Sequence, residues 1–290
     1  MSITILDGGM GQELVKRSGD TPTALWSTQV MIDHPGLVAG VHSDYFNAGA
    51  EIATTNTYAI HRDRLRFVDI EDQFETLLGL AMTEAETARA AHGAGLIGGS
   101  LGPLVASYRP DLCPDPKDAA PIYAEVAGQI AARCDMLMAE TVASVRHAEG
   151  MFQGAIGAGK PIWLAVTVDD EDGTLLRSGE PVADLAQVIK TYKPAAVLAN
   201  CSAPEAITAT LGVMQGFGVP FGAYANGFKE ITKNFLKDKP TVDALETRED
   251  FTPDRYADFA ETWAEQGATI IGGCCEVGPA HIAELKRRFG

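Results

Sequence analysis

Eight short apolar, β-branched runs alternate with helix-forming stretches along almost the whole of this 290-residue chain. The runs fall at 3–6, 51–55, 96–99, 136–139, 162–168, 195–199, 220–225 and 269–272. Amphipathic or alanine-rich stretches lie between them, at 34–48, 71–91, 119–133, 145–157, 182–190, 204–214 and 253–266, and a last one spans 279–288. Strand followed by helix, repeated, demands right-handed crossovers and a parallel sheet. Eight such units in this length fit a closed (β/α)8 TIM barrel better than an open doubly wound sheet. An open sheet would normally carry a glycine-rich phosphate loop after its first strand. Here Asp7-Gly8-Gly9-Met10-Gly11 lacks the GxGxxG spacing and sets an acid where a pyrophosphate would lie. No linker, repeat or low-complexity tract divides the sequence, so residues 1–290 are expected to form one α/β domain.

In such a barrel the C-terminal strand ends converge on one pocket. Taken in order, their polar residues are Asp7, then Asn56 with Thr55, then Ser100, then Glu140 with Thr141. Asp169 with Thr167, Cys201 with Ser202, Asn226, and Cys274 with Cys275 complete the ring. Three of the five cysteines therefore gather at one mouth, while Cys113 and Cys134 lie elsewhere as small apolar residues. The gap of 73 residues between Cys201 and Cys274 (274 − 201) is no zinc-finger spacing, but it suits ligands drawn from the sixth and eighth strands. The bland alternative is three buried core residues with a vicinal pair by coincidence.

Three thiolates on one Zn²⁺ leave a fourth position open. Their excess negative charge makes the metal a poor activator of water, yet an incoming thiol still loses its proton there. Thiolate is the form that attacks carbon, so the pattern points to chemistry at sulfur. Asp7 and Glu140 suit a substrate ammonium, although each acid alone is as well suited to a helix cap or an ion pair. Two long connections, 102–118 and 226–252, follow strands and are expected over the mouth.

Charge and hydropathy exclude other classes. A net charge of −16 opposes binding to nucleic acid phosphates. No apolar stretch is long enough to span a bilayer, and the N-terminus lacks the basic start and apolar core of a signal peptide. An odd number of cysteines without a secreted framework reads as a cytoplasmic chain with reduced thiols. A Schiff-base lyase would need a lysine at a C-terminal strand end. Lys160 and Lys193 precede strands, and Lys229 already lies in a loop. A purely structural zinc would normally take four protein ligands. Oligomeric state is not readable from this pattern.

Several segments together resemble the homocysteine S-methyltransferase family. They are Leu6-Asp7-Gly8-Gly9-Met10-Gly11, Leu25-Trp26-Ser27, the stretch 42–50, Thr55-Asn56-Thr57-Tyr58 and Gly99-Ser100-Leu101-Gly102-Pro103. Ala139-Glu140-Thr141, Asn200-Cys201 and Ile271-Gly272-Gly273-Cys274-Cys275 extend the likeness over nearly the whole chain. The resemblance implies a zinc-dependent barrel that methylates homocysteine to methionine, with Zn²⁺ on Cys201, Cys274 and Cys275. It implies that Asp7 and Glu140 hold the amino end of homocysteine and that main-chain groups near Ser202 receive its carboxylate. It also implies that Asn226 fills the open metal position at rest. With Asn56, these residues form the expected substrate-binding set. The Leu-Trp-Ser and Ala-Glu-Thr elements look like the branch using S-methylmethionine, with S-adenosylmethionine as the related sulfonium donor. Asn226-Gly227-Phe228-Lys229 departs from the Asn-Ser-Gly-Glu often found there. Betaine, dimethylsulfoniopropionate, or another thiol or selenol acceptor would keep the same chemistry.

Overall fold

All eight apolar runs become strands: β1 (Thr4–Ile5), β2 (Ile52–Thr54), β3 (Leu96–Leu101), β4 (Met136–Val142), β5 (Ile162–Val166), β6 (Ala196–Asn200), β7 (Phe221–Tyr224) and β8 (Ile270–Ile271). The computed structural model describes residues 2–21, 23, 25–231, 236 and 245–290. The strands are parallel and neighbour one another in the order β1-β8-β7-β6-β5-β4-β3-β2. A parallel bridge from Leu6 to Ile52 joins the two ends of that order. Asp7 N donates to Ile52 O at 3.1 Å and Glu51 N to Ile5 O at 2.7 Å across the same seam. The result is the expected (β/α)8 barrel.

Helices α1 (Met10–Ser18), α2 (Ser27–Asp33) and α3 (Leu37–Ala48) follow β1, and α4 (Arg62–Arg66) and α5 (Phe74–His92) follow β2. Single helices follow the other strands: α6 (Pro116–Ile130), α7 (Val145–Ala155), α8 (Leu185–Tyr192), α9 (Pro204–Met214), α10 (Pro253–Glu265) and α11 (Pro279–Phe289). The helical stretch expected at 34–48 begins only at Leu37, because Pro35 cannot continue a helix and Gly36 takes φ 89°. Among the described residues no helix is long and apolar enough to cross a membrane. The expected loop at 226–252 lies partly outside the described residues.

Side chains alternate across each strand and so build two cores. Leu6, Ile52, Met136, Met138, Ala165, Ala196, Leu198 and Ile270 fill the barrel interior. Their neighbours Ile5, Ile97, Leu137, Leu164, Val166, Val197 and Ile271 point outward and pack against the helices. Gly98 shows how tight the interior is, since a Cβ there would stand 2.7 Å from Met138 Sδ. A filled interior leaves the loops beyond the strands' C-terminal ends as the place for a pocket.

Candidate active site

A cavity of about 560 Å³ opens at that end of the barrel. Asp7, Asn56, Glu140, Cys201, Cys274 and Cys275 all line it, so six of the eight residues expected from the sequence share one space. Ser202 and Asn226 are buried but are not among the described residues that line it. Among the described residues, five of the eight non-glycine residues with positive φ also line it: Trp26, Val105, Tyr108, Thr141 and Cys201. Such conformations cost energy and collect where surrounding structure holds a site in shape.

The floor carries two buried carboxyls. Asp7 does not cap α1, whose N-cap is Gly9 without a side-chain bond. Its oxygens instead accept from Thr54 on β2, from N at 2.6 Å and from Oγ1 at 2.8 Å. Burial pushes Asp7 up to about 8, against the Thr54 bonds and with a further upward push from the charge of Glu140. Glu140, from β4, accepts from Tyr224 Oη at 2.9 Å and from Ser100 Oγ. It too is raised by burial, against those two hydroxyls. Two acids held so far out of water are poised for a cation that would favour their charged forms. Asn56 turns its amide away, donating Nδ2 to Ser27 O at 3.2 Å.

The three cysteines stand at the ends of β6 and β8, within an apolar cluster that includes Tyr108, Phe228 and Leu245. Gly9 makes their approach possible: a Cβ there would lie 2.5 Å from Cys274 O and 3.1 Å from Cys275 Cα. Cys201 and Cys274 are joined as a disulfide with Cα atoms 5.7 Å apart, whereas the sequence suggests reduced thiols. Cys275 is a free, buried thiol, pushed up to about 12 by burial and then by the nearby Glu276. Its Sγ is 4.0 Å from that of Cys274. With two sulfurs tied together, no group of three or more His, Cys, Asp or Glu among the described residues is arranged to hold a metal.

Once the disulfide is reduced, the spacing of one pair suits two ligands of a single ion. Tetrahedral Zn–S bonds of about 2.3 Å set sulfurs about 3.8 Å apart, close to the Cys274–Cys275 separation. Asn226 Oδ1, the amide atom able to reach a metal, accepts from Phe228 N at 3.2 Å, and its buried Nδ2 is a donor without a hydrogen-bond partner. Ser202 is spent on the scaffold: its Oγ accepts from Val168 N at 2.9 Å and donates to Asn200 O at 3.0 Å. Thr54 and Tyr224, which hold the two acids, were not marked by the strand-end pattern. Both lie within strands, and only the register shows which acid each one meets.

A family model for homocysteine S-methyltransferase matches residues 4–289. The homocysteine S-methyltransferase of Escherichia coli strain K12 is 29% identical, an alignment covering 99% of this chain and 95% of that protein. Homocysteine S-methyltransferase YbgG of Bacillus subtilis strain 168 is 24% identical over 98% of this chain and 93% of its own length. Among solved structures, the metallated form of the Escherichia coli homocysteine methyltransferase MmuM superposes with a TM-score of 0.83 at 27% identity, covering 99% of this chain and 96% of that one. Its oxidised form gives 0.82 at 26% identity, with the same coverage of both chains. Matched from its first strand to its last helix, this chain belongs to the homocysteine S-methyltransferase family.

Proposed function

We propose that this protein transfers a methyl group from a sulfonium donor to the thiol of homocysteine, giving methionine, with Zn²⁺ held by Cys201, Cys274 and Cys275. The observation that carries the reading is the meeting of three cysteine sulfurs and two buried acids in one cavity, in a member of this family. S-methylmethionine and S-adenosylmethionine are the donors proposed. Bound zinc supplies the positive charge that keeps an incoming thiol deprotonated at neutral pH.

The chain's own residues do the rest. Asp7 and Glu140 receive the ammonium of homocysteine, whose charge offsets the burial that raises both carboxyls. Thr54, Ser100 and Tyr224 fix both carboxyls in place, so the amino acid enters in one orientation. Tyr108, Phe228 and Leu245 keep water from the sulfurs, which strengthens every charge interaction there. The thiolate then attacks the donor's methyl carbon in line: an S–C bond forms, the C–S⁺ bond breaks, and its electron pair leaves with a neutral thioether. No general base acts at carbon, so rate depends mainly on alignment and on the thiolate.

Methionine formation from L-homocysteine by reduced, zinc-loaded protein, followed by mass spectrometry with each donor supplied separately, tests the reading. Turnover with one sulfonium donor, abolished by Cys274→Ala, is expected. Bound zinc without methionine from any donor would refute it.

A further inference from the structure

Thirteen arginines occur in the chain. Twelve stand within 4.0 Å of a carboxylate oxygen. The exception is Arg64 on α4, which makes no ion pair among the described residues and lines the cavity. In a chain with 39 acids against 23 basic residues, a guanidinium left without a carboxylate is conspicuous. Asp63 beside it is turned to the β3–α6 loop, where its Oδ2 accepts from Val105 N at 2.6 Å. Arg109, the other cation in the wall, is already paired with Asp111.

Arg64 is nevertheless held in place. Its Nε and Nη2 donate to Pro103 O at 3.2 and 2.7 Å, and the guanidinium lies 5.7 Å from the centre of the Tyr58 ring. One edge of the fork is thus anchored on a neutral carbonyl. Nη2 also lies 3.5 Å from Ser107 Oγ, so the opposite edge, Nη1 with the second Nη2 hydrogen, meets only this long hydroxyl contact and keeps the geometry that grips both oxygens of a carboxylate. Phe67, one turn further along the chain, is 67% exposed at the rim of the same cavity. Arg64 therefore belongs to the outer wall, not the floor.

We propose that Arg64 receives the carboxylate of the methyl donor, so that the donor is an onium compound carrying a carboxylate at its non-reacting end. The inference rests on the methyl-transfer reading above. There the thiol of homocysteine sits at the cysteines and its ammonium at Asp7 and Glu140. The donor must then point its methyl group at the floor and its remainder toward the mouth, where Arg64 waits. Opposite charges at floor and wall thereby sort the two substrates: an ammonium inside, a carboxylate outside.

The test is steady-state kinetics of the native protein, Arg64→Ala and Arg64→Lys. Each is assayed with homocysteine and S-methylmethionine, S-adenosylmethionine or dimethylsulfoniopropionate, and with trimethylsulfonium, which has no carboxylate. Losing one charge-assisted fork should raise the donor KM about 10- to 100-fold in Arg64→Ala. The homocysteine KM should stay within about twofold, and Arg64→Lys should fall between. With trimethylsulfonium, native protein and Arg64→Ala should give the same kcat/KM, which also shows that the variant is folded. A rise in the homocysteine KM instead would overturn the proposal, as would an unchanged donor KM or an equal loss with trimethylsulfonium. If the native protein turns over no donor at all, the methyl-transfer reading fails by itself. Equilibrium dialysis of S-methylmethionine against native protein and Arg64→Ala then decides the site: tighter native binding supports it, and equal binding overturns it.

Discussion

Asp7→Asn should make the metal-free protein more stable while weakening the binding of homocysteine. The substitution keeps the side chain's size and an acceptor for Thr54 N, and it removes only the ionisable group. Folded, Asp7 titrates at about 8 against an ordinary 3.8. A folded value above the unfolded one means that its contribution to stability is fully present below pH 3.8 and is lost as pH rises through 8. Each pH unit in that window costs about 1.4 kcal/mol, so the loss between pH 5 and pH 8 is on the order of 4 kcal/mol. Asparagine has no such slope. In a chain of this size 1 kcal/mol moves Tm by about 2 °C, so calorimetry of reduced, metal-free protein should find the variant's advantage growing by about 8 °C between those two pH values. Homocysteine affinity should fall about 10- to 100-fold, the worth of a hydrogen bond to a charged group. A Tm difference that is flat with pH, or a variant less stable at pH 8, would refute the reasoning about burial. Unchanged homocysteine affinity would refute the role of Asp7.

Other expectations follow from the same geometry. Tyr224→Phe removes the hydroxyl that holds Glu140 at 2.9 Å and should raise the homocysteine KM about 3- to 10-fold with little change in kcat, read by initial rates. Gly9→Ala places a methyl group 2.5 Å from Cys274 O, so it should displace the cysteine loop, cost about 1–3 kcal/mol in urea unfolding and lower zinc content by elemental analysis. Oxidised protein, with Cys201 bound to Cys274, should hold no stoichiometric zinc until a reductant frees both sulfurs. His42 and His61, buried and lowered to about 4, stay neutral in the fold while the unfolded chain protonates near 6.5. Stability should therefore decline as pH falls from about 6.5 toward 4, and replacing His42 with phenylalanine should flatten that decline in acid unfolding curves.

The barrel was legible because a parallel strand buried on both faces must be an apolar run, and eight such runs stand in order. The strand ends were legible for the same reason. Once β6 and β8 are placed, Cys201, Cys274 and Cys275 have only one mouth to share. What escaped the sequence depends on which way a side chain turns. Asp7 fits a helix cap as well as a pocket, and only its register beside Thr54 decides between them. Ser202 and Asn226 occupy strand ends yet turn behind the cavity wall, where backbone groups claim them. Arg64 was invisible because α4 is five residues long and has no amphipathic period to mark it. Its meaning comes from what the other twelve arginines do and it does not.

Zinc-edge X-ray absorption of the reduced, zinc-loaded protein, before and after L-homocysteine is added, bears most directly on the claim that three cysteines hold the metal and a substrate thiol joins them. The expected result is three sulfurs around zinc at rest and four once homocysteine is present. Fewer than three sulfurs at rest, or an unchanged count while methionine is being formed, would contradict it.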